Sequence, residues 1–526
     1  MKRYLFQRIL FSIFALMVVT GTVMFMTYAL MDRSMIFTQD QVYNKLAKNE
    51  KQYYKHSRYQ VFGYETMTNY SEYIVSYYQE KYGEGYEDRD DFIAAKKALL
   101  NPETVNDNPD VQAFKEKFSK DGYTVEYYEP IYKFKKLDSS PYLIAYKDIN
   151  VFERFGRYLG NFFKIETIWD VQDENLTDRY VRFEWDERSN MPALVGSGTT
   201  HKYLLYFDDK FPFVHQNIFH IRLGASNVAR QGIDTMDILK EYTGQDQKTE
   251  QEYPVDIGTG VTHSTAIDFH TVTYSPTISS FDEKIFGEGE HYVNYTYNKD
   301  GLIRVGNSFV IGLFSVILAY LLGLPIGIWM ARRKDKLVDK LGNAYIIFIM
   351  AVPSLAYIFV FAAIGTSIGF PGKWGNAAAW GPGNIWIWMF LPMISLALPS
   401  VGGLMKWVRR YMIDQSNADY VKFARSTGMT EGEIFRKHIS RNAFIYIVHG
   451  VPANILGSLT GALITERVYA VEGVGGLLTN AINQYDNGVI IAGTVFYSAL
   501  SIISLILGDL LLAKYDPRVS FSNERG

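Results

Sequence analysis

The second half of this chain alternates long apolar runs with polar stretches, whereas the first half has one such run, at its very start. A helix that crosses a bilayer needs about 20 mostly apolar residues. Six stretches approach that length: residues 9–31, 308–331, 341–364, 385–407, 443–465 and 488–512. The long interval between the first two has shorter periods. Segments 42–60, 67–82, 90–100 and 109–119 read as helices. Asp90 or Asp91 fits as the cap of the third, and Asn108 followed by Pro109 as the start of the fourth. Tyr123–Phe134, Tyr180–Trp185 and Thr271–Tyr274 alternate apolar and polar residues, as strands do. The pattern predicts an all-α polytopic membrane domain of six transmembrane helices, with a large α+β domain inserted between helices one and two. The divisions are 1–31 for the N-terminal helix, 32–306 for the inserted domain and 307–526 for a five-helix core.

Composition alone points elsewhere. The chain is 48% hydrophobic and 21% charged, and its mean hydropathy of −0.07 looks soluble. The average misleads because the apolar residues are segregated. Residues 32–306 hold 44 acids and 32 bases, a net of −12, and the remainder holds 12 acids and 21 bases, a net of +9. An acidic soluble domain therefore accompanies a basic-flanked membrane domain. Cysteine is absent, which excludes disulfides and thiolate metal sites and suits an exported domain of a bacterium.

The first run follows Lys2, Arg3 and Arg8, and Thr27-Tyr28-Ala29 loosely resembles a cleavage site. Its apolar stretch of about 22 residues exceeds a typical signal core, so retention as an anchor is expected. Lysine and arginine mark the inner loops. Arg332-Arg333-Lys334, then Lys406, Arg409 and Arg410, then Arg436, Lys437 and Arg441, and finally Lys514 and Arg518 are all inside if the N-terminus is inside. Residues 32–306, 365–384 and 466–487 are then outside, and both termini are cytoplasmic. Pro325, Pro353, Pro392, Pro399 and Pro452 interrupt the runs, and Gly323/Gly327 and Gly457/Gly461 have small-residue spacing. Kinks and close helix packing are expected; hinges for alternating access are the other reading.

Several chemistries have no pattern here. His215 and His220 are five apart and His263 and His270 seven apart, unlike the i, i+4 pair of a zinc protease, so no metal site is expected. There is no nucleophile-elbow serine and no phosphate-cradling Gly-x-x-x-x-Gly-Lys motif, so no catalytic residue and no cofactor is expected in this chain. No run carries a central pair of acids or a row of arginines. Tyrosine pairs at 53/54, 77/78 and 127/128 read as ordinary core and surface aromatics, or else as a face for a partner.

One polar stretch between two apolar runs carries more. In Asp419-Tyr420-Val421-Lys422-Phe423-Ala424-Arg425-Ser426-Thr427-Gly428, Ser416 or Asn417 suits the cap of a short helix and Asp419 its positive end. Tyr420, Val421 and Ala424 share a face, with small Ala424 permitting close approach of a partner surface. Arg425 lies in the last turn and Gly428 supplies a left-handed stop. Thr430 and Glu433 form a capping box that starts the next helix. Helix, glycine, helix follows from local chemistry; an amphipathic helix at a membrane surface is the generic alternative.

This stretch, through Met429 to Ala443, resembles the "EAA" loop by which the membrane subunit of an ABC importer docks on its ATPase. From Asn307 to Ser520 the chain is similar to the inner-membrane permease of oligopeptide and dipeptide ABC importers, the OppB/DppB type. Met1–Leu10 resembles that family's opening, Gly323-x-Pro325-x-Gly327 with Ala331-Arg332-Arg333 its second span, and Asp509 with Asp516-Pro517-Arg518 its ending. Leu463–Gly476 resembles its outer loop after span five, with Glu466, Gly473 and Gly475 matching a candidate outer gate; Glu472 stands where the pattern usually has Pro. The departure is residues 32–306, far longer than the usual segment, with His220–Leu239 resembling that short segment; enlarged versions resemble Gram-positive permeases of the Ami type.

The resemblance implies a type I ABC importer fold with an ATPase-docking loop at 408–442. It implies a homologous second permease, two ATP-binding-cassette ATPases that hold the ATP and magnesium, an extracellular peptide-binding lipoprotein and an oligopeptide substrate. The function it implies is oligopeptide uptake across a bacterial cell membrane by a subunit that hydrolyses nothing itself. The rival readings are an exporter or mechanotransmission permease with a large outer domain, a membrane-anchored ligand sensor, and an anchored extracellular enzyme.

Overall fold

A computed structural model describes residues 2–515 apart from 39, 135, 170, 172–175, 188, 208–212, 228–233, 241–252, 257–261, 266, 298–302 and 374–384. Asp516-Pro517-Arg518 and part of His220–Leu239 thus lie outside the described residues.

Helices and strands fill the region between the first two long apolar helices. Four of the helices are Lys48–Val61, Tyr70–Tyr82, Asp90–Lys97 and Pro109–Lys120. Asn108 caps the last by accepting from the Asp110 and Val111 amides, with Pro109 at the first turn as expected. The expected cap at Asp90 or Asp91 is displaced. Arg89 is the N-cap, and both aspartates sit within the first turn, where their charge meets the positive end of the helix. The expected helix from 67 starts at Tyr70, because Glu65–Asn69 alternates in burial and pairs with Tyr142–Asp148.

That strand is the centre of a three-stranded antiparallel sheet completed by Thr124–Tyr128. Tyr70, Ile74, Phe92, Phe114, Phe118, Leu143 and Ala145 form its core. Several tyrosines pack within this region. Tyr53 stacks on Tyr142 at 4.6 Å, Tyr78 is buried with its hydroxyl on Asp110, and the Tyr127 hydroxyl donates to the Leu99 carbonyl. Further along the chain, Val181–Asp186, Met191–Gly196, Tyr203–Phe207 and Val214–Gln216 make a sequential four-stranded antiparallel sheet. Phe163–Ile165 and Phe219–Ile221 pair as a ribbon beside it.

Four helices are long and apolar enough to cross a membrane: Phe6–Leu30, Arg304–Arg332, Trp386–Ser416 and Asn487–Tyr515. Two bent pairs raise the number to six if each is one span. The expected third span is not one straight helix. Leu337–Ala351 and Ser354–Ser367 meet at 105°, because Val352 is extended ahead of Pro353, which has no amide hydrogen to continue the ladder. Glu431–His449 and Val451–Tyr469 bend by 40° near Gly450 and Pro452.

Arg304–Arg332 lies along Trp386–Ser416, and Gly323 and Gly327 mark the contact. A Cβ at Gly323 would come within 3.1 Å of Leu404, and one at Gly327 within 2.9 Å of Val408. Small-residue spacing therefore does mean close packing at this pair. A Cβ at Gly457, by contrast, would meet no atom within 4 Å. The first helix packs on the last, with Arg8 and Asp509 3.2 Å apart.

The polar region is clamped to the start of the last helix. Asp486 accepts from the Val489 amide within that helix, from the Asn227 amide at 2.9 Å and from the Ser226 hydroxyl. Gly488 sits so close to the Ala225 carbonyl that a Cβ there would lie 1.7 Å from its oxygen. The Asn487 side chain donates to the Tyr64 hydroxyl.

Candidate functional site

The polar stretch after Trp386–Ser416 folds as helix, glycine, helix. The short helix spans Asp419–Ser426, and Gly428 has φ +82°, a conformation that L side chains resist. The Thr430–Glu433 capping box is present. Thr430 Oγ1 accepts from the Glu433 amide at 3.3 Å, and Glu433 Oε2 accepts from the Thr430 amide at 3.2 Å. The N-cap is Ala418 rather than Ser416 or Asn417. The Ser416 hydroxyl is instead turned back on the Ile413 carbonyl at 2.7 Å, closing the preceding helix.

The expected face of Tyr420, Val421 and Ala424 points inward. Val421 and Ala424 are buried among Val408, Met412, Ile434, Ile439 and Ala443 of this same chain. The small side chain of Ala424 therefore packs inside this chain. Tyr420 is half-buried, with its hydroxyl on Gln415 at 2.5 Å. What the helix offers outward is a different set. Phe423 is 71% exposed, flanked by Asp419 paired with Lys422 at 2.8 Å and by Arg425 paired with Glu431 at 2.6 Å. The Lys422 ammonium beside Asp419 holds its carboxyl below the usual carboxylate range. The sequence signal for this exposure is that an aromatic at 423 falls opposite the Val421 and Ala424 face.

This helix rests on a braced base. Arg409 holds Asp339 in a two-pronged contact at 2.5 and 2.8 Å, tying Leu337–Ala351 to the helix that carries Val408 and Met412. The Arg332 guanidinium lies 4.5 Å from the centre of the Phe435 ring. Val421 and Ala424 thus join Asp419–Ser426 to the packing around Val408 and Met412 of Trp386–Ser416.

At the opposite end of Arg304–Arg332, Glu466, Gly473 and Gly475 come together. Glu466 is fully buried. Its Oε1 accepts from the Ser308 hydroxyl at 2.6 Å, and its Oε2 from the Gly476 amide at 3.1 Å. The Val474 amide donates to the same Ser308 hydroxyl at 2.9 Å. The carboxylate thereby holds the first turn of Val474–Gln484. Both glycines are required by this approach: a Cβ at Gly473 would lie 2.3 Å from Glu466 Oε2, and one at Gly475 2.7 Å from the Leu463 backbone. Glu472 shapes the loop through its carbonyl, which accepts from Asn307 at 3.0 Å, and its carboxylate lies 3.7 Å from Arg304.

One further cluster was not expected. Glu166, His201 and His220 converge, the one group of three or more potential metal ligands among the described residues. The histidine spacings considered in the sequence did not pair these residues.

Residues 323–521 match the family described as the binding-protein-dependent transport system inner membrane component. Over 535 aligned residues, covering all of both chains, this chain is 30% identical to the oligopeptide transport system permease protein AmiC of Streptococcus pneumoniae. It is 28% identical to the dipeptide transport system permease protein DppB of Lactococcus lactis over 290 residues, 54% of this chain and 86% of that one. A solved structure of the MetNI methionine ABC transporter is matched at a TM-score of 0.33 and 14% identity, over 40% of this chain and 93% of that one.

Proposed function

The chain belongs to the family of inner-membrane permeases of oligopeptide and dipeptide ABC transport systems, and from that premise we propose that it forms half of the translocation pathway of an ATP-driven oligopeptide importer. The observation that carries this reading is the 30% identity to an oligopeptide permease over the whole of both chains. The chain is a transport subunit. Its partners in this reading are a homologous second permease, two ATP-binding-cassette ATPases where ATP and magnesium act, and an extracellular peptide-binding lipoprotein.

Each bent helix pair counts as one span, giving six in a type I importer fold. The α+β domain of residues 32–306 stands outside, and both termini are cytoplasmic. Charge supports this orientation. Arg332, Asp339, Arg409 and Phe435 gather at one end of the helices, with Arg333, Lys334, Lys406 and Arg436 close by in sequence, whereas Ser308, Glu466 and Val474 gather at the other.

Phe423 and the charged pairs beside it dock on the ATPase. Closure of the ATPases pushes Asp419–Ser426, and Val421 and Ala424 pass the displacement to the spans, which rock between inward- and outward-open forms. The Glu466 loop, with Gly473 and Gly475, forms part of the outer mouth. The test is uptake of a labelled oligopeptide by proteoliposomes holding the whole complex and its binding protein. ATP-dependent accumulation that needs this chain is expected; outward movement alone, or uptake without this chain, would sink the importer reading.

A further inference from the structure

The cluster at Glu166, His201 and His220 has the form of a cation site. The fold brings the three together from separate segments. Glu166 follows the strand Phe163–Ile165, and its amide donates to the Ile218 carbonyl at 2.7 Å, extending the ribbon by one step. His220 is the middle residue of Phe219–Ile221 and pairs with Lys164. Side chains two apart on a strand share a face, so Glu166 and His220 are diagonal neighbours on one face of the ribbon. His201 comes from the turn between Met191–Gly196 and Tyr203–Phe207, held by a bridge to Thr273 and by the Thr199 hydroxyl on its carbonyl at 2.6 Å.

Both imidazoles address one oxygen. His201 Nδ1 lies 2.6 Å and His220 Nε2 3.2 Å from Glu166 Oε1, and the rings stack at 5.4 Å. Glu166 Oε2 accepts from the His201 amide at 3.1 Å, and His220 Nε2 donates to the Asn217 carbonyl at 3.0 Å, a proton that a metal on this nitrogen displaces. Two other buried carboxylate–histidine pairs occur between the first two long apolar helices, His56 with Glu65 and His270 with Asp186, and neither belongs to a three-ligand group among the described residues. They also differ in access. The carboxylate of Glu166 is 2% exposed, but the His201 and His220 side chains are 22% and 23% exposed, whereas those of His56 and His270 are 6% and 1%. The Glu166 site is closed on the carboxylate side and open to solvent on the imidazole side.

We propose that Glu166, His201 and His220 bind one divalent transition-metal ion, with Zn²⁺ the fitting species. Two imidazoles and a carboxylate make an N,N,O donor set, which zinc accepts with a water at a fourth, solvent-facing position. Tetrahedral zinc with metal–ligand distances near 2.0–2.1 Å places its ligands about 3.3 Å apart. The His220–Glu166 separation of 3.2 Å already matches this, and the His201–Glu166 separation of 2.6 Å must open by about 0.7 Å, within the reach of side-chain rotation. The bound ion staples the 163–165/219–221 ribbon to the turn of the adjacent sheet, in a region without a cysteine.

The test uses the full-length permease, purified in detergent and stripped with a chelator. Zinc alone is then titrated against a chromophoric competitor. One zinc per chain is expected. His201→Ala, His220→Ala and Glu166→Gln should each weaken it roughly tenfold or more, while His215→Ala should not. Zinc should also raise the thermal unfolding temperature of the parent but not of the triple variant. Should a variant fail to fold, the parent still decides: zinc must shield His201 and His220 from diethyl pyrocarbonate, read peptide by peptide. Zinc binding equal in the parent and the folded triple variant, or labelling of both histidines unchanged by zinc, overturns the site.

Discussion

At the scale of single residues, Glu466 explains two glycines that would otherwise look like loop filler. Its carboxylate occupies the space in which a side chain at Gly473 would sit. Gly473→Ala should therefore destabilise the permease by about 1–3 kcal/mol through overpacking. In a Glu466→Ala background the same change should cost much less, since the obstructing atoms are gone. A double-mutant cycle on thermal unfolding in detergent measures this coupling; additive effects would mean that the two side chains do not compete for space. The two glycines were legible from the motif, but what crowds each was not: Glu466 at Gly473 and foremost the Leu463 backbone at Gly475, met across a turn whose path the sequence does not state. Gly428 is the opposite case. Its positive φ followed from its place between the end of one helix and the Thr430 capping box of the next, a purely local matter.

At the scale of elements, the Asp419–Ser426 helix has one buried face and one exposed face. Phe423→Ala should leave the permease folded and in the membrane but lower co-purification of the ATPases and peptide uptake about tenfold or more, the effect of losing an exposed aromatic anchor. Ala424→Arg should act otherwise, forcing a long cation into the packing around Val408 and Met412 and reducing the amount of folded permease. Pull-down yield and membrane abundance, measured on both variants, separate the two; equal abundance with equal loss of ATPase would place Ala424 at the interface after all. Topology is tested in the same chain, whose natural lack of cysteine makes any introduced thiol unique. Lys133→Cys and Asn480→Cys, both at exposed positions, should react with an impermeant maleimide on intact cells, and exposed Asn417→Cys should react only after lysis. Labelling of position 417 from outside would reverse the orientation. The helices themselves were legible from apolar run length and caps, since a helix closes its hydrogen bonds within itself. The inward turn of Val421 and Ala424 was not, because periodicity shows that two residues share a face and leaves open what that face meets.

For the molecule as a whole, the polar region is not loosely tethered. Asp486 and Asn487 at the start of the last helix hold Ser226, Asn227 and Tyr64. Asp486→Ala removes the acceptor for the buried Asn227 and Val489 amides, leaving those two donors unsatisfied. It should cost about 2–3 kcal/mol and raise hydrogen exchange both at 223–227 and in the first turn of Asn487–Tyr515. Exchange that rises in one of these segments alone would show that the clamp does not join them.

The sequence by itself determined the apolar runs, the basic stretches between them, the helix–glycine–helix of residues 419–434 and the family resemblance. All of these are carried by neighbours along the chain: run length, capping residues and a glycine at positive φ act within a turn or two. Tertiary structure alone decided the 105° break at Pro353, the burial of Val421 and Ala424, the reach of Glu466 to Ser308 and the convergence of Glu166, His201 and His220. A proline announces that a helix is interrupted, but the angle depends on what the two halves pack against. The contacts join residues far apart in the chain, 260 positions in the case of Ser226 and Asp486. Such distances close only when the whole fold is assembled, and no local preference encodes them.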